Sequence, residues 1–124
     1  MLLAHGARNP AWGALFEALA QDLSRAGQPA RAAYLEHLQP DFGTATDALV
    51  ADGCREILVL PCFFAATGHV LRDLPGLLDA ARLRHPGLGW RVLDALGEQP
   101  AFRSALLGLC QQLLQPATDE APRP

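Results

Sequence analysis

Ile57-Leu58-Val59-Leu60-Pro61-Cys62-Phe63-Phe64-Ala65-Ala66-Thr67-Gly68-His69-Val70-Leu71-Arg72-Asp73 holds the strongest structural signal in the chain. It opens as an apolar, partly β-branched run, so Glu56 to Phe64 reads as a strand that is apolar on both faces, as a central parallel strand should be. It passes through the small-residue turn Ala65 to Gly68 and delivers His69 where a helical pattern begins. That helix is expected from about Val70 to Arg84, with Leu71, Leu74, Leu77, Leu78 and Ala81 inward. Pro75 falls within its first turn or two, where proline is tolerated best. A buried strand that ends on a histidine is a common way to build a site, and the same grammar opens the chain. There Leu2-Leu3-Ala4 runs into His5-Gly6-Ala7-Arg8-Asn9-Pro10.

Outward from this stretch, strand and helix alternate. Met1 to Ala4 is a short first strand. A helix from about Ala11 carries Trp12, Leu15, Phe16, Leu19 and Leu23 on one apolar face and stops at Gly27 and Pro29. Ala30 to Leu35 is a weaker strand, because alanine is a poor strand former. Asp41 is placed to cap a helix that turns Phe42, Ala45, Leu49 and Val50 inward and closes at Gly53. Trp90 to Leu93 is a fourth strand. Pro100 starts a last helix with Phe102, Leu106, Leu109, Cys110 and Leu113 on one face. One α/β domain is expected over residues 1–115, with 116–124 a loose Pro-rich tail.

Four such repeats imply a parallel sheet with helices on both faces. A flavodoxin-like strand order, 2-1-3-4, places the first strand between the second and third. Sites in such sheets form at the carboxyl ends of the strands. Three polar side chains emerge there: His5, Glu36 and His69. Neighbouring strands are about 4.8 Å apart, so the three can converge.

The 124 residues carry a net charge of −3 and half are hydrophobic, which predicts a folded chain without bulk attraction for nucleic acid. Every basic residue is arginine. No apolar run reaches the roughly 20 residues of a membrane span, and no signal-peptide pattern is present. Cys54, Cys62 and Cys110 lack paired spacing and read as reduced thiols of a cytoplasmic protein.

Two imidazoles and a carboxylate suit a borderline divalent metal such as cobalt, iron, nickel or zinc. Three protein ligands leave coordination positions open, which favours a transient or catalytic site. Each residue also has a plainer reading. His5 can hydrogen-bond its loop, His69 can start a helix, and Glu36 can be a solvated rim charge. His37 competes with Glu36, but adjacent residues on a strand face opposite ways. His85 reads as a partner of a helix C-terminus. Cys62 reads as a buried small hydrophobe. Arg8, between two loop breakers, is the better ligand contact among the arginines.

His5 to Pro10 resembles the HGSRDP opening of the small class II chelatases. Tyr34-Leu35-Glu36 matches their FLE segment, and Phe63 to Pro75 is similar to their PLFLxxGGHVxxDIP segment. The three occur in order, and the likeness runs to about Leu114, pointing to the single-domain sirohydrochlorin cobaltochelatases of the CbiX type. This resemblance implies insertion of a divalent metal, cobalt first among them, into sirohydrochlorin on the way to cobalamin. It implies that His5 and His69 bind the metal and take pyrrole protons while Glu36 assists. Arg8, Arg72 and Gly68 become the substrate contacts, with the metal a substrate and no tightly bound cofactor. Larger relatives hold the tetrapyrrole between two such domains, so a homodimer is expected here. Ala7, Asn9 and Thr67 depart from the family serine, aspartate and glycine.

Rival readings are a flavin or nucleotide module, a histidine phosphatase using His5, and a carrier of metal or tetrapyrrole that does not turn over. The first lacks G-x-G-x-x-G and P-loop patterns. The second lacks the arginine before His-Gly, since position 4 is Ala4. Iron or nickel in place of cobalt shares the same ligands.

Overall fold

The computed structural model describes residues 1–65 and 68–116, with backbone alone at 69–71. The expected 117–124 tail and the Ala66-Thr67 part of the turn lie outside the described residues. Strand β1 (Leu2–Ala4) lies between β2 (Ala32–Tyr34) and β3 (Glu56–Pro61), and β4 (Gly89–Val92) extends β3. All pairs are parallel, giving the order 2-1-3-4. In register, Leu3 lies beside Ala33 on one side and Pro61 on the other. Short parallel strands need covering helices, and these are α1 (Ala14–Arg25), α2 (Phe42–Ala51) and α3 (His69–Arg84); a fourth helix, α4 (Pro100–Leu113), follows β4.

The main core lies on the face covered by α2 and α3. Leu3, Ala33, Ile57 and Val59 of the sheet meet Phe42, Ala45 and Leu49 of α2 and Leu74, Leu78 and Ala81 of α3. Trp90 of β4 stacks on Phe42 with ring centroids 5.5 Å apart. Asp41 caps α2 as expected, accepting from the Thr44 N–H at 2.8 Å. Val50 is only half buried, whereas Thr46 is buried and returns its hydroxyl to the Phe42 carbonyl. The helix runs through Pro75.

On the other face, α1 packs over β1 and β2 through Phe16, beside Ala4, Ala32 and Tyr34. Tyr34 fixes it there. Its hydroxyl lies 3.1 Å from the Gly13 carbonyl and 3.0 Å from the Glu17 carboxylate. Burial, then Glu17, pushes that phenol up to about 12. A 3-10 turn at Pro10–Gly13 precedes α1, so the helix proper starts three residues later than expected.

Three sequence expectations change. Trp12, Leu15, Leu19 and Leu23 share a helix face, but they are exposed, and Ala20 is the buried residue of α1. β3 ends at Pro61 rather than Phe64 and alternates in burial, with Leu58 outward, so it is covered fully on one face only. α4 exists as expected but buries no residue. Periodicity identifies an apolar face; it does not say what covers it. Among the described residues no helix is long and apolar enough to cross a membrane.

Candidate metal and tetrapyrrole site

The carboxyl ends of β1 and β2 place His5 and Glu36 side by side, because the two strands stay in register past their ends. The Leu35 N–H donates to the Ala4 carbonyl at 3.1 Å, and the Glu36 N–H donates to the His5 carbonyl at 3.0 Å. Gly6 then turns away at φ 92°, a conformation that L side chains rarely adopt. The result is direct contact: His5 Nε2 lies 2.9 Å from Glu36 Oε1. Both side chains are about half exposed, at 55% and 50%. An exposed imidazole–carboxylate pair contributes little to stability, so the arrangement suits a group that must exchange with solution.

His37 joins the same carboxylate. Its Nε2 is 3.8 Å from Glu36 Oε2. The rule that neighbours on a strand face opposite ways does not reach it, because β2 ends at Tyr34. His37 sits at φ 66°, the left-handed region, which re-aims its side chain. Sequence pattern gives no signal for this; the Gln39-Pro40-Asp41 turn that follows was its nearest hint. The loop folds back so that the Tyr34 N–H donates to the Pro40 carbonyl at 3.0 Å.

Beside His5 lies an open cleft of about 240 Å3. Trp12, Phe16, Cys62 and Phe63 form its apolar wall, and Gly6 and Ala7 form its lip. Burial pushes the Cys62 thiol up to about 11, so it stays protonated at neutral pH. This agrees with its reading as a small hydrophobe. Asn9 caps the Pro10–Gly13 turn, its side-chain oxygen accepting from the Ala11 N–H at 3.0 Å. Aspartate in its place would accept the same bond, so this departure from the family pattern leaves the loop intact.

Gly68 immediately precedes α3 with φ 67° and ψ −125° and turns the chain into the helix whose first residue is His69. The His69 side chain, like Thr67, lies outside the described residues. Among the described residues no three His, Cys, Asp or Glu side chains gather closely enough to hold a metal. Arg8 and Arg72 are exposed, and neither forms an ion pair with a described residue. His85 and Arg84, at the far end of α3, pair instead with Asp47 of α2, His85 at 2.7 Å.

The sequence model of the CbiX family matches residues 1–113. The sirohydrochlorin cobaltochelatase of Saccharolobus islandicus is 35% identical over 103 residues, covering 78% of this chain and 80% of its own. That of Sulfolobus acidocaldarius is 31% identical over 106 residues, covering 80% and 86%. A solved structure of a cobalamin biosynthesis CbiX protein from Marinobacter aquaeolei superposes with a TM-score of 0.77 at 28% identity, covering 91% of this chain and 93% of that one. The Bacillus subtilis subspecies spizizenii sirohydrochlorin chelatase SirB, solved with cobalt, shares the fold at a TM-score of 0.73 and 21% identity. This chain covers 49% of it. The chain belongs to the CbiX family of sirohydrochlorin chelatases, enzymes of the metal-chelatase lyase class.

Proposed function

We propose that this chelatase inserts cobalt(II) into sirohydrochlorin, with His5, Glu36 and His69 as its metal ligands. The observation that carries the reading is the 2.9 Å contact between His5 Nε2 and Glu36 Oε1 at the open carboxyl end of the sheet. Insertion replaces two pyrrole N–H protons by one divalent cation, so two protons must leave. A neutral imidazole is the natural acceptor near pH 7. His5 and His69 take these protons, and Glu36 orients His5 and balances the charge of the arriving metal. Nitrogen and carboxylate ligands with open positions release the metal more readily than a closed thiolate site would.

Arg8 and Arg72, both exposed, contact the carboxylates of the tetrapyrrole, for which a guanidinium offers a bidentate fork. Gly68 lets the macrocycle approach the turn before His69. The half-open cleft walled by Trp12 and Phe63 accepts an apolar ring edge. A single domain supplies one wall, and its fold accounts for about half of the SirB chain. A homodimer supplies the second wall. Unpaired Cys54, Cys62 and Cys110 suit a reducing cytoplasm.

Anaerobic absorbance of sirohydrochlorin with the protein and cobalt(II), nickel(II) or iron(II) tests the assignment. Cobalt insertion faster than the protein-free reaction, and faster than with the other metals, is expected. Binding without acceleration would replace the enzyme reading with a carrier, and faster iron or nickel insertion would correct the metal.

A further inference from the structure

Glu36 offers its two carboxylate oxygens to two different imidazoles. Oε1 meets His5 Nε2 at 2.9 Å, a hydrogen-bond distance, and Oε2 faces His37 Nε2 at 3.8 Å. The second gap is too long for a hydrogen bond. It is the span of a coordination site: two ligands that each stand about 2.1 Å from one cation lie roughly 3 to 4 Å apart, depending on the angle between them. Imidazole and carboxylate are donors that borderline divalent metals accept. Both are open to water, the His37 and Glu36 side chains being 39% and 50% exposed.

The backbone at His37 takes an uncommon form to make this pair. Among the described residues His37 is the one non-glycine at positive φ. The Leu38 N–H donates to the Glu36 carbonyl at 2.8 Å and closes a three-residue turn centred on His37. Such a turn, with positive φ at its centre, is rare and strained. Glycine would form it without the strain, so a loop that only joined β2 to α2 would gain nothing from histidine there. Strained non-glycine residues gather at ligand sites, where the surroundings hold them. Here Gly6 packs against the same Glu36 carbonyl, and the bond from the Tyr34 N–H to the Pro40 carbonyl closes the loop behind. What the turn places is a second imidazole on the Glu36 carboxylate.

His37 also lies apart from the tetrapyrrole cleft. The described residues that line the cleft include His5 but neither Glu36 nor His37. A macrocycle seated there lies against His5 and leaves the His37 side of Glu36 open to solution.

We infer that His37 and Glu36 Oε2 form an entry site for the divalent metal, from which the ion passes to His5 across the two oxygens of Glu36. This rests on the chelatase reading above and adds a residue to it. Among the described residues no third donor completes the pair, so water fills the other positions and the ion is held weakly enough to move on. During the passage Glu36 stays bound, one imidazole replaces the other, and coordinated water is released. Nothing is oxidised or reduced. The entry site can be loaded while the macrocycle occupies the cleft.

The chain has four histidines, so the His5→Ala, His69→Ala protein keeps only His37 and His85. Cobalt(II) alone, being paramagnetic, should shift the His37 ring-proton resonances of that variant saturably. Those of His85, which is paired with Asp47 at the far end of α3, should stay in place. Adding His37→Asn identifies the signal, and adding Glu36→Gln should abolish the response. In the otherwise native chain, His37→Asn and His37→Gly both accept the positive φ. Each should raise the KM for cobalt roughly 10-fold while the KM for sirohydrochlorin moves less than about twofold. A histidine that merely shaped the loop would move both constants or neither. An unshifted His37 ring, or an equal response at His85, overturns the entry site even where insertion is fast. An unchanged cobalt KM in both variants overturns it too. A shifted His37 ring in a protein whose native form inserts no metal sinks the chelatase reading, and the hand-over with it.

Discussion

Gly6 and Glu36 touch backbone to backbone: a Cβ at Gly6 would stand 1.8 Å from the Glu36 carbonyl oxygen. The absence of a side chain at Gly6 is what lets the two strand ends lie close enough for His5 to reach the Glu36 carboxylate. Gly6→Ala adds this clash to a positive φ, whose strain alone costs on the order of 1–3 kcal/mol. Denaturant unfolding should show a loss of at least that size. Cobalt insertion should fall in the fraction that stays folded, because the pair is pushed apart.

Glu36→Gln separates charge from shape. The pair is half exposed, so unfolding stability should change by less than about 1 kcal/mol. Turnover should drop by roughly 10- to 100-fold, the usual cost of losing a carboxylate that supports a metal-site histidine. Steady-state insertion kinetics beside a thermal melt check both halves. An equal loss in stability would show that Glu36 is structural.

Acid should loosen the α2 side of the core first. The Thr44 N–H bond holds the Asp41 carboxyl below the usual carboxylate range. The hydrogen bond from His85, with Arg84 adding to it, does the same for Asp47. Both folded-state values lie below the unfolded ones. Their stabilisation is therefore present above the ordinary carboxylate range and is lost as pH falls through the folded values. Asp41→Ala should cost about 0.5–2 kcal/mol at pH 7, as for other N-caps, and less in acid. A pH series of urea midpoints for Asp41→Ala and Asp47→Asn reads this out. A loss that grows toward low pH would contradict the sign.

Cys62 should resist alkylation at pH 7 in the folded chain and react readily in urea, because burial holds its thiol near 11. Mass-resolved iodoacetamide labelling distinguishes it from the other thiols.

The sheet order was legible because each apolar run ends in Gly, Pro or Asx punctuation and only one handed path joins parallel strands. His5 and Glu36 were legible for the same reason: both follow strands that must be neighbours. His37 was not, since its position depends on one left-handed residue beyond the end of β2. Nor was the exposure of Leu15, Leu19 and Leu109. Their spacing specifies a stripe on a helix, and a stripe is equally compatible with a core and with a partner.

Cobalt(II) binding measures the central claim most directly. The visible ligand-field bands of cobalt(II) respond to nitrogen and oxygen ligands without any tetrapyrrole present. Anaerobic titration of the native protein, His5→Ala, Glu36→Gln and His69→Ala should show a saturable band in the native protein that weakens in all three variants. An undiminished band in His69→Ala would remove that residue from the metal site, and undiminished bands in all three would contradict the site itself.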